Sequence, residues 1–118
     1  MKVVHRKKEQ KSSYNEKAKV LFQRAIKEAN QGKDLQSVES ATEALMYAKQ
    51  SGAYERVYIH SFLAMMFMDF SKNEIAKIHC FEALQSLRKD HRHYGSDHKY
   101  LIALNDEIEK TLQPKAAM

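Results

Sequence analysis

A chain of 118 residues, 43% apolar and 30% charged, has room for one compact domain and excludes both a multi-domain protein and a wholly disordered one. Three glycines and one proline leave little punctuation for hairpins, while Ala, Leu, Lys, Glu and Gln are plentiful, so the composition favours an all-helical protein. The formal net charge of +5 is confined to residues 1–19, where seven basic side chains meet two acidic ones; the remainder balances, which argues against a basic nucleic-acid-binding face on the folded part.

Residues 1–13 lack hydrophobic periodicity and read as a flexible basic arm. It is either solvated or grips phosphates through Lys2, Arg6, Lys7, Lys8 and Lys11. No apolar stretch or small-residue cleavage site follows it, so it does not read as a secretory signal. From Tyr14 onward Ala18, Leu21, Phe22, Ala25, Ile26 and Ala29 recur at three- and four-residue intervals, which predicts a first helix over about 14–31 that ends at a left-handed cap on Gly32. Asp34 is placed to cap a second helix over about 34–50, with Leu35, Val38, Ala41, Ala44, Leu45 and Ala48 on one stripe and Ser51-Gly52 as its end.

The third predicted helix follows Gly52 and is apolar on nearly every side through Phe70, which marks it as the centre of the domain. Its longest apolar run, Phe62 to Met68, stops at Asp69, far short of the roughly 20 residues a bilayer requires. Ser71 and Glu74 have the spacing of a capping box ahead of a fourth helix over about 72–89, which carries Ile75, Ala76, Ile78, Cys80, Phe81, Ala83, Leu84 and Leu87. After a polar stretch from Asp90 to Ser96, the residues Tyr100, Leu101, Leu104, Ile108 and Leu112 predict a fifth helix stopped by Pro114. Residues 114–118 read as a flexible tail, leaving one helical domain over 14–113. The lone Cys80 has no internal disulfide partner and reads as a small core residue, consistent with a reducing, cytoplasmic setting and no membrane.

The chain also resembles itself. Ala44-Leu45 and Ala83-Leu84 stand 39 residues apart, and in that register Ala25 matches Ala64, Gly32 matches Ser71, and Ser37 matches Ala76. Leu63-Ala64-x-x-Phe67, the turn at Ser71, Ala76 and Ala83-Leu84 together resemble a tetratricopeptide repeat (TPR). Leu21-x-x-x-Ala25, Gly32 and Ala44-Leu45 make a weaker first copy, with Glu28 in place of the usual aromatic. The period exceeds the usual length of about 34 residues and is similar to that of the kinesin-light-chain-like and bacterial regulator branches. Gly95-Ser96-Asp97-His98 looks like their Gly-Pro-Asp-His opening of a repeat. The resemblance implies an all-α fold of about five helices, in which antiparallel helix-turn-helix pairs stack as a short right-handed solenoid and the fifth helix caps the stack.

In that family the first helix of each pair lines a concave groove. The matching residues here are Phe22, Ile26 and Ala29, with Tyr58, Ser61, Met65, Met68 and Asp69, an apolar groove carrying one acid. The Lys and Asn residues with which family members hold a peptide's C-terminal carboxylate are absent from these positions. Met adapts its shape to a ligand, so the groove suits an apolar peptide or an amphipathic helix. The alternative is that Met65, Met66 and Met68 are simply core.

Constellations for chemistry are thin. His91, His93 and His98 with Asp90 and Asp97 match no established zinc spacing, so neither a metal nor another cofactor is expected. His79 and Cys80 are helix neighbours that point apart, which rules out a nucleophile–base pair. With no phosphate loop, nucleophile elbow or His-Glu-x-x-His motif, catalysis is not expected. The reading is therefore a non-enzymatic protein-protein interaction module (adaptor, chaperone or regulator) with a protein or peptide partner. Two alternatives stay open: a nucleic-acid-associated helical protein that uses the basic arm, and a self-associating structural subunit such as a homodimer.

Overall fold

The structure, a computed structural model, describes the backbone of residues 2–112 and the side chains of residues 13–112. Its five helices are α1 (Lys2–Asn30), α2 (Asp34–Ser51), α3 (Glu55–Asp69), α4 (Asn73–Ser86) and α5 (Tyr94–Leu112), and there are no strands among the described residues. No described helix is long and apolar enough to cross a membrane. The chain forms two compact units, residues 1–59 and 60–118, with the division falling inside α3.

Helix α1 starts at Lys2, ahead of the expected start at Tyr14. Residues 2–13 hold neither glycine nor proline and are dominated by Lys, Glu, Gln and other residues that lose little in a helix. The side chains of the expected basic arm and all of residues 113–118 lie outside the described residues. At the other end, α1 closes on Gly32 with φ 77°. The Lys33 N–H donates to the Glu28 carbonyl (2.8 Å) and the Gly32 N–H to the Ala29 carbonyl (3.0 Å), the two bonds of a Schellman turn. Gly52, with φ 70°, ends α2 in the same way, through Ala53 N–H to Ala48 O and Gly52 N–H to Lys49 O.

The two expected side-chain caps are replaced by this backbone closure. Ser71 is not the N-cap of α4; it takes φ 61° and serves as the left-handed residue that ends α3, with Lys72 N–H on Phe67 O (2.7 Å) and Ser71 N–H on Met68 O (2.9 Å). The N-cap is Lys72, which makes no side-chain cap bond. Likewise Lys33, not Asp34, is the N-cap of α2, and Asp34 lies in the first turn, where its charge suits the helix dipole. One residue serves both helices: the Lys33 N–H closes α1 while its carbonyl accepts from Ser37 N–H (2.9 Å), and Lys72 does the same with Phe67 and Ala76. That economy leaves no room for a separate capping side chain.

Within the first unit, α1 packs on α2 through residues with almost no side chain. Ala18 and Ala25 of α1 and Ser37, Ala41, Ala44 and Ala48 of α2 are fully buried. The Ser37 hydroxyl donates to the Ala25 carbonyl at 2.6 Å, a contact that demands close approach of the two backbones. In the second unit Ala64 of α3 and Ala76, Cys80 and Ala83 of α4 hold the same places 39 residues on and are also fully buried. Phe67 fills the α3–α4 gap, its ring stacked on His79 at 5.6 Å and 6° and edge-on to Phe70. Helix α4 is shorter than expected because Leu87 turns extended (φ −63°, ψ 144°), and two short turns from Arg88 to Tyr94 lead into α5. Helix α5 buries Leu101, Leu104 and Ile108, and Lys77 of α4 bridges to Glu109 at 2.6 Å.

Candidate functional site

Helix α3 is too uniformly apolar for its sequence to select an inward face, and its neighbours select one instead. Leu63, Ala64 and Met66 turn inward, whereas Met65 is 47% exposed and Asp69 is also exposed. Met65, Met68 and Asp69 follow three- and four-residue spacing and therefore share a stripe. On α5 the residues Tyr100, Ala103, Leu104 and Glu107 do the same. These two stripes enclose a hollow of about 340 Å³ in the second unit. Its floor is apolar, with Leu104 buried, and its rim carries two carboxylates, Asp69 and Glu107.

The Tyr100 hydroxyl donates to Met65 Sδ at 2.9 Å and ties the two helices across the rim. Burial, followed by the neighbouring Cys80 and Glu107, holds the Tyr100 phenol above its ordinary pKa, so it remains a neutral donor. Among the described residues no basic side chain lines the hollow. The arrangement offers an apolar cleft, an adaptable thioether, a hydroxyl and two carboxylates.

Of the expected groove residues, Met65, Met68 and Asp69 line this hollow. Ser61 is buried and does not line it. Phe22, Ile26, Ala29 and Tyr58 belong to the first unit: Phe22 and Ala29 are half-buried, Ile26 is partly exposed, and Tyr58 is half-buried with its ring edge-on to Tyr54 at 5.6 Å. The contribution of α5 was not anticipated, because that helix reads as a cap. The spacing Tyr100-x-x-Ala103-Leu104-x-x-Glu107 is the signal that would have found it.

A second hollow, of about 390 Å³, lies between α1 and α2 and is lined by Ser13, Glu16, Lys17, Val20, Leu21, Glu43 and Tyr47. Its charges have local company: Lys17 Nζ stands 5.3 Å from the Tyr47 ring centroid and shares the lining with Glu16 and Glu43.

Elsewhere, His60 and His79 meet Nδ1 to Nδ1 at 3.0 Å, with His60 only 2% exposed. Such a contact holds one proton, so one ring donates and the other accepts. It draws His79 toward α3, and Cys80 is buried with its thiol 3.5 Å from the Leu101 carbonyl. Burial pushes that thiol up to about 11, the opposite of an activated nucleophile. His91 accepts from the His93 backbone at Nδ1 (3.1 Å), whereas His98 stacks on Tyr94. No group of three or more metal-type ligands exists among the described residues. Comparison with family models, with curated proteins and with solved structures finds no match to this chain.

Proposed function

We propose that this chain is a non-enzymatic interaction module of the tetratricopeptide type, a small adaptor, chaperone or regulator that holds a peptide or an amphipathic helix of a partner protein in the α3–α5 hollow. The observation that carries the reading is the hollow itself: Met65 and Tyr100, each 47% exposed, stand over a buried leucine floor with carboxylates at the rim. Support for the repeat comes from the helix pairs. In both, α1–α2 and α3–α4, one left-handed residue and one shared lysine close the turn, and small residues sit at equivalent helix contacts 39 residues apart. In the solenoid reading these pairs stack right-handedly, α5 opens a third unit, and its unpaired face supplies half of the binding hollow.

A displayed peptide library panned against the full chain tests this reading. Peptides retained by the wild type and lost by Met65→Glu, with helical circular dichroism unchanged, are the expected result. Retention that survives both Met65→Glu and Met65→Glu with Met68→Glu would move the binding site elsewhere.

A further inference from the structure

We infer that the α3–α5 hollow takes the basic segment of residues 2–11 from a second copy of this chain, so that the protein self-associates through its own N-terminal segment. The inference rests on the reading of the hollow as a peptide site and names one occupant for it.

Charge carries the argument. Asp69 and Glu107 both line the hollow, neither makes an ion pair with a described residue, and among the described residues no cation shares the lining. The α1–α2 hollow differs, because Lys17 accompanies its two glutamates. A ligand that answers two uncompensated carboxylates above an apolar floor must combine cations with apolar groups. Within this chain that combination is concentrated in one place. Residues 2–11 read Lys2-Val3-Val4-His5-Arg6-Lys7-Lys8-Glu9-Gln10-Lys11, five cations against one acid with two adjacent valines, whereas residues 20–118 carry equal numbers of basic and acidic side chains. The backbone of this stretch is helical from Lys2, so the segment arrives already ordered and loses less entropy on docking.

Asp69 is the last residue of α3, where the helix dipole adds negative potential and favours an incoming cation. Two valines and two partly exposed ion pairs make a small contact, so the association is weak and sensitive to salt.

The test is the solution mass of the full chain by light scattering, over a concentration series at about 0.05 M and about 0.5 M salt, spanning a long and a short screening length. The expected result is a concentration-dependent rise toward the dimer at low salt that disappears at high salt. Asp69→Lys with Glu107→Lys should weaken it at least tenfold, as should Arg6→Glu with Lys7→Glu and Lys8→Glu. Mixing these two charge-reversed variants should restore association between them. The milder Asp69→Asn with Glu107→Gln serves where reversal disturbs the helical dichroism.

A chain that stays monomeric at low salt overturns the inference, as does a dimer indifferent to salt and to both charge reversals. The two readings fail separately. Library peptides retained by a monomeric chain through Met65 would leave the hollow a site for a foreign partner and remove only the second copy. Salt-sensitive association that persists in Met65→Glu but is lost with Asp69→Lys and Glu107→Lys would place the contact on the acids and outside the apolar cleft, and so would also overturn it.

Discussion

The α1–α2 and α3–α4 pairs close with the same backbone and fill it with opposite chemistry. At one pair of matched positions the first carries Glu28 and Ser40, whose hydroxyl donates to the carboxylate at 2.6 Å; the second carries Phe67 stacked on His79. Leu21 in the first corresponds to His60 in the second, which meets His79 through the Nδ1 atoms. The turns nonetheless agree bond for bond, from Lys33 and Lys72 onward. The difference teaches that small residues at the crossing and the left-handed turn hold the pair, whereas the side chains in the gap are free to be polar or aromatic, provided each hydrogen-bonding group finds a partner.

The crossing should be the most sensitive part of either pair. Ala64→Leu overpacks the α3–α4 contact and should cost about 1–3 kcal/mol in a urea melt. Ala25→Leu should cost more, because it also dislodges the Ser37 hydroxyl from the Ala25 carbonyl, a bond for which Ala76 has no counterpart. An unchanged melt for Ala64→Leu would sink the shared register, and an equal cost at both sites would remove the extra share assigned to the Ser37 bond.

The gap should behave as a coupled unit. Phe67→Glu leaves a carboxylate against His79 and should destabilise the second unit by about 2 kcal/mol. Adding His79→Ser together with His60→Leu as one step, which installs the Glu28, Ser40 and Leu21 set of the first pair and removes the His60 ring that His79 partners, should recover on the order of 1 kcal/mol of coupling in a double-mutant cycle. Strict additivity would show that the two pairs do not use the gap in the same way.

The turns differ in one residue that should matter in the other direction. Ser71 holds φ 61°, a conformation unfavourable for a side chain, where the first pair has Gly32. Nothing would obstruct the exchange, so Ser71→Gly should raise stability by about 0.5–1 kcal/mol, read as a higher denaturant midpoint. Gly32→Ser should lower it by a similar amount.

The effect confined to alkaline pH concerns Cys80, matched by Ala41. The folded thiol has its pKa near 11 against 9.0 for an ordinary thiol, so at alkaline pH the folded chain keeps a proton that the unfolded chain releases. Its contribution is complete below pH 9 and is lost as the pH rises through 11. Cys80→Ala should therefore flatten the alkaline decline of stability measured over that window, and the native thiol should resist alkylation at pH 8 until the chain is unfolded. An alkaline decline identical in the variant would assign it to other groups, Tyr100 first.

Much of the fold was legible because it is written locally. The three- and four-residue recurrence of Ala18 through Ala29 and of Leu101 through Ile108 marks helices whatever surrounds them. Gly32 and Gly52 stop helices by their own conformational freedom, as expected. A serine followed by glutamate three residues on is a capping signal, and only the three-residue link between α3 and α4, Phe70 to Lys72, makes Ser71 a left-handed terminus instead. Of the candidate hollow, the sequence singles out Met65, Met68 and Asp69 on one side, whereas Tyr100 and Glu107 on the other belong to a helix that reads as a cap.

By itself the sequence determined the all-helical class, the five segments, two of the turn glycines and the 39-residue spacing, since each depends on contacts within a few residues or on identity at a fixed interval. Tertiary structure decided which methionine of a uniformly apolar helix faces outward, that His60 meets His79, and that α5 contributes a wall to the hollow rather than only a lid. Those outcomes depend on which neighbour arrives at a face, and periodicity gives such a helix no preferred side.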